Sequence, residues 1–140
     1  MDLKRWVLAT VGAFGVIATS DFVIHNLWLG EMYRANAQWW RSPEEMGLLN
    51  GYMIAGEVAL AGLLAFVYSK GYEVGKGTVS QGFRFGVLMG LLLYLPKSFM
   101  QHFVYPYPLG LILNWLIGGI AQVALAGLMI GYIYKPSKSS

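Results

Sequence analysis

The run LGLILNWLIGGIAQVALAGLMIGYIY, residues 109–134, contains no charged side chain. At 1.5 Å per residue it spans about 39 Å as a helix, more than the ~30 Å of bilayer hydrocarbon. It is too long and too continuous for a barrel strand, and unpaired backbone groups are not tolerated in lipid, so it reads as a transmembrane helix that tilts or projects. Three further stretches resemble it: residues 6–29, 46–68 and 85–104. Together they predict an all-α membrane protein, a single domain covering 1–140 with four transmembrane helices.

The composition agrees. Hydrophobic residues make up 56% of the chain and charged residues only 12%, with mean hydropathy +0.52. Soluble domains carry about 25% charged residues, so a water-soluble globule and a disordered chain are both excluded. The absence of cysteine removes disulfides, thiolate zinc sites, iron–sulfur clusters and covalent haem attachment. A net charge of +3 is too small and scattered for a nucleic-acid partner. Lys4, Arg5, Lys70, Lys76, Arg84, Lys135 and Lys138 lie on one side of the expected bilayer, with Arg34, Arg41 and Lys97 on the other. The positive-inside rule then places both termini in the cytoplasm. The first span is too long and too polar, with Asp21 and His25, for a cleaved signal peptide.

Between the first two spans, residues 30–42 read as an interfacial segment bearing Tyr33, Trp39 and Trp40. Ser42-Pro43-Glu44-Glu45 reads as an N-cap, a first-turn proline and a capping-box glutamate. The Gly-rich loop 70–81 lacks the strand and helix context of a phosphate loop, and residues 105–108 form a tight turn. An internal repeat is also visible. Val58-Ala-Leu-Ala-Gly-Leu63 recurs as Val123-Ala-Leu-Ala-Gly-Leu128, preceded by Glu57 and Gln122 respectively, and His25 aligns more weakly with His102. The expected architecture is two tandem two-helix hairpins, a parallel repeat about an axis along the membrane normal. It would set His25 opposite His102, Asp21 opposite Ser98 and Glu57 opposite Gln122.

Helix association in lipid relies on close packing and interhelical hydrogen bonds. Gly82, Gly86 and Gly90 form a four-residue-spaced stripe, echoed by Gly127/Gly131, Ala61/Ala65 and Gly47/Gly51. The stripe serves either a contact inside the bundle or one with a homo-oligomer partner or a larger membrane complex. Pro96 removes a backbone donor within the third span and is expected to kink it.

The polar residues gather toward the outer half. Counted at 1.5 Å per residue, His102 lies ~3 Å deep, His25 ~6 Å, Lys97 ~10 Å, Asp21 ~12 Å and Glu57 ~16 Å. Ionisable groups there cost about 2.5–3.5 kcal/mol each, so Asp21, His25, Glu57 and His102 are expected to face the bundle interior. Asp21 and His25 share one helix face, as do Ser98 and His102. In structural terms Asp21 would pair with Lys97, and Glu57 would bond Gln122. In functional terms Asp21, His25, Glu57, Lys97, His102 and Gln122 form a ligand-binding or proton-exchange site. Glu57 and Asp21 would carry charge, His25 and His102 would act as outer ligands, and Lys97 would tune them. His25, His102, Glu57 and Asp21 also offer the imidazole and oxygen donors of a divalent metal site. A His25/His102 pair would alternatively hold haem b in a slot lined by Trp28, Phe99 and Phe103. No catalytic triad or other nucleophile arrangement is present.

The series Asp21-x-x-x-His25, Arg41-Ser-Pro-Glu-Glu-Met46, Gly82-Phe-Arg-Phe-Gly86 and Gly131-Tyr-Ile-Tyr-Lys135 resembles small bacterial four-helix integral membrane proteins. The resemblance covers nearly the whole chain and implies a four-span fold and an inner-membrane address. It implies no activity, cofactor or site residue. The function expected from the residues is binding, and passage, of a small solute, metal ion or proton. The alternatives are a non-catalytic accessory subunit and a haem-binding electron carrier.

Overall fold

A computed structural model describes residues 2–135. Lys138, one of the basic residues used for orientation, lies outside the described residues. The chain forms α1 (Leu3–Phe22), which runs directly into a π-helical turn (Val23–Trp28), then α2 (Gly30–Ala35), a 3-10 turn (Ala37–Trp39), α3 (Pro43–Leu48), α4 (Asn50–Gly71), α5 (Thr78–Val104) and α6 (Leu109–Ile133). Strands are absent among the described residues. Four helical segments, Leu3–Trp28, Asn50–Gly71, Thr78–Val104 and Leu109–Ile133, are long and apolar enough to cross a membrane.

Local chemistry sets the boundaries. Ser42 and Glu45 form the capping box in both directions: Ser42 Oγ accepts from the Glu45 amide at 3.2 Å, and the Glu45 carboxylate accepts from the Ser42 amide at 3.1 Å. It starts the separate helix α3, however, and not the long second helix. The helical path breaks at Leu49, among the poor helix formers Gly47, Asn50 and Gly51. The third long helix begins at Thr78, seven residues ahead of the apolar run. Its polar first turn is anchored by Gln81, which donates to the Glu73 carbonyl at 3.0 Å and accepts from the Glu73 amide at 2.8 Å. This helix continues through Pro96.

The long helices pack in the order α4–α1–α6–α5. The broadest contact is α5 on α6, followed by α1 on α4 and α1 on α6, while α4 meets α6 only narrowly. Small residues make the seams. Ala9, Ala13 and Ile17 of α1 meet Ala61, Leu64 and Ala65 of α4 and Val123, Ala126 and Ile130 of α6 in one buried core. Gly82, Gly86 and Gly90 are buried against α6. A Cβ at Gly86 would strike the Val123 carbonyl, and one at Gly127 would strike the Gly82 carbonyl. The stripe is therefore occupied within the chain, and a partner docking on these three glycines would have to displace α6. Gly47 and Gly51, by contrast, have open space where a Cβ would stand. Tyr68, Tyr72, Phe85 and Tyr134 close the core where the α4–α5 loop lies.

Candidate ligand-binding cavity

At the opposite end, where α2 and α3 lie, the packing opens into a cavity of about 940 Å³. Its wall comes from the end of α1, the π-helical turn, α2, the stretch before α3, α3 itself, α5 and α6. The turn matters because a π-helix is wider than an α-helix, is rare, and frequently occurs at functional sites. Here it carries His25 and Asn26, and both line the cavity.

A chain of hydrogen bonds crosses the wall. The Trp115 indole Nε1–H donates to the Tyr33 hydroxyl at 2.6 Å, and that hydroxyl lies 2.6 Å from His25 Nδ1. Indole only donates, so the phenol proton is free to go to His25 Nδ1. In neutral His25 this puts the ring proton on Nε2, which faces Asp21 Oδ1 at 3.7 Å. Asp21 Oδ1 also accepts from Gln122 Nε2 at 2.5 Å. Gln122 is 3% exposed; it donates to the Ile17 carbonyl at 3.2 Å and accepts from Tyr94 OH at 3.3 Å. Gly119 makes the last contact feasible, because the Tyr94 ring lies where a Cβ at that position would stand. Tyr33 sits outside the long helices, and burial pushes its phenol above the ordinary tyrosine range, opposed by the Trp115 hydrogen bond.

Glu57, 8% exposed on α4, stands beside Asp21 and outside the cavity wall. Contact between two carboxyls is attractive only with a proton shared between them. Asp21 thus bonds α6 through Gln122 and has Glu57 of α4 as a neighbour.

Several expected pairings take another form. Lys97 lines the cavity with its ammonium 5.7 Å from the centre of the Tyr94 ring, and no ion pair joins it to Asp21 among the described residues. Ser98 is buried, lines the same cavity and bonds the Tyr94 carbonyl at 2.8 Å. Gln122 bonds Asp21 and not Glu57. His102 is exposed and takes no part in the wall, so it does not face His25 across the centre. Among the described residues no three His, Asp or Glu side chains converge to hold a metal ion. Of the residues expected to line a haem slot, Phe99 is 72% and Phe103 89% exposed, while Trp28 packs against Gly118 of α6. Neither a four-ligand metal centre nor a His25/His102 haem fits this arrangement.

Sequence reading missed Tyr33, Arg34, Trp40, Arg41 and Trp115 as wall residues. Tyr33 and Trp40 belong to the stretch that reads from sequence as an interfacial segment. Instead Trp40 meets Tyr33 at 5.5 Å and Trp115 at 6.0 Å between ring centres, edge to face in both cases. Comparison with protein-family models, curated proteins and solved structures finds no match to this chain.

Proposed function

We propose that this chain is a small bacterial inner-membrane protein, with both termini cytoplasmic and two tandem hairpins. It binds a small solute in the outer cavity and exchanges a proton with it through His25, Asp21 and Glu57. The observation that carries this reading is the meeting of Asp21, His25, Lys97 and Gln122 on one cavity of about 940 Å³, a size typical of small-molecule sites. Gln122 orients Asp21, and Glu57 stands behind it as the partner with which a proton is shared. His25 connects this pair to the Tyr33–Trp115 wall. The hairpins are read from the close packing of α1 on α4 and of α5 on α6.

The test uses the purified full-length chain in detergent, with benzoate, benzylammonium and benzamide as anionic, cationic and neutral probes. At least one should raise the melting temperature, and its binding enthalpy should depend on the buffer because a proton moves. Glu57→Gln should keep the fold, since the amide can still bond Asp21, while abolishing the buffer dependence. Absence of any shift with all three probes would overturn solute binding. A haem absorption band or stoichiometric bound metal would favour the cofactor readings instead.

A further inference from the structure

Every basic residue on the expected outer side of the chain, namely Arg34, Arg41 and Lys97, lines the same cavity. They come from three separate elements: α2, the stretch before α3, and α5. The outer side of an inner-membrane protein is normally poor in Lys and Arg, so their convergence on one concavity needs a local cause. Lys97 lies about 10 Å from the end of its helix, yet it lines the cavity over the Tyr94 ring.

The wall offers little to neutralise them. Its one carboxylate, Asp21, is already held by Gln122 at 2.5 Å and approached by His25 at 3.7 Å. Arg34 has Glu31 at 3.6 Å, but that glutamate side chain is 93% exposed, and such a pair is weak and salt-screened. Arg41 and Lys97 join no ion pair among the described residues. Guanidinium groups bind carboxylates and phosphates in paired, charge-assisted hydrogen bonds. Beside them the clustered rings of Tyr33, Trp40 and Trp115 offer an aromatic wall.

We infer that the solute taken by this cavity is an anion, a carboxylate or phosphate group held by Arg34, Arg41 and Lys97, with an apolar body against the Tyr33–Trp40–Trp115 wall. The inference rests on the solute-binding reading above and fixes the sign of the ligand. A free organic acid and an anionic lipid headgroup share this chemistry.

The experiment compares the full chain in nanodiscs of phosphatidylcholine and of phosphatidylglycerol. Benzoate should bind in phosphatidylcholine, and benzylammonium should not. Arg41→Gln and Lys97→Gln should each weaken benzoate by roughly tenfold or more, Lys97→Arg should restore most of it, and Lys70→Gln, at the opposite end, should change nothing. Phosphatidylglycerol that stays bound in native mass spectra and blocks benzoate identifies the lipid as the source of the anion. Benzoate binding unaffected by phosphatidylglycerol identifies a free acid. Should the substituted proteins fail to fold, the wild-type comparison of benzoate with benzylammonium still decides. Preferential binding of benzylammonium, or equal binding of benzamide and benzoate, overturns the anion while leaving solute binding standing. Failure of all three probes overturns both.

Discussion

Tyr33 occupies a position where one proton settles the orientation of several groups. Its hydroxyl takes the Trp115 proton and faces His25 Nδ1, each at 2.6 Å. Replacement by Phe should remove both bonds, lowering stability by about 1 kcal/mol per bond and freeing the His25 ring. Burial raises the phenol's pKa above its ordinary value of 10.0. The sign follows: the folded state holds this proton more tightly, so its contribution is complete below about pH 10 and is lost as the pH rises through the folded titration. Melting curves between pH 8 and 11.5 should show an alkaline loss in the wild type that is smaller in Tyr33→Phe. An equal loss in both would remove Tyr33 from this role. At this scale the sequence was partly readable. Asp21 and His25, four residues apart, were placed on one face by helix geometry alone. The donor to Asp21 was not, because Gln122 is 101 positions away and only packing brings it there.

At the scale of elements, glycines of equal appearance do different work. A methyl at Gly86 would collide with the Val123 carbonyl and approach Ala124 Cα at 2.7 Å, whereas Gly51 has nothing within 4 Å. Gly86→Ala should therefore cost about 1–3 kcal/mol by overpacking the α5–α6 seam. Gly51→Ala should leave thermal stability unchanged or raise it, through helix propensity. Thermal melts of the two variants in detergent check both, and a tolerated Gly86→Ala would deny the close seam. Spacing by four flagged both glycines, but spacing cannot say which has a neighbour. The capping box shows the same limit from the other side. Ser42 and Glu45 reported their bond correctly, while the length of the helix they begin depended on Gly47, Asn50 and Gly51 beyond it. The π-helical turn at Val23–Trp28 had no sequence signature beyond a polar His-Asn pair in an apolar run.

For the whole molecule, the proposed orientation predicts that cysteines at Gln38 and Tyr107 react with a membrane-impermeant reagent in intact cells and that one at Lys76 does not. Labelling at Lys76 from outside would reverse the orientation. The four long helices were legible because length and apolarity are local properties. Most of the cavity was not, since Tyr33, Arg34, Trp40 and Arg41 reach it from short segments whose folding is set by α1, α5 and α6. The helix order α4–α1–α6–α5 also carries a consequence in time. Only α6 joins the first hairpin to the second through a broad contact, and α6 is synthesised last. At roughly 5–20 residues per second, the 101 positions from Asp21 to Gln122 take about 5–20 s to translate. For the last 65 of those positions, once Glu57 has been made, α1 has α4 as its broad partner, and Glu57 stands beside the young hairpin's half-buried acid until its amide arrives.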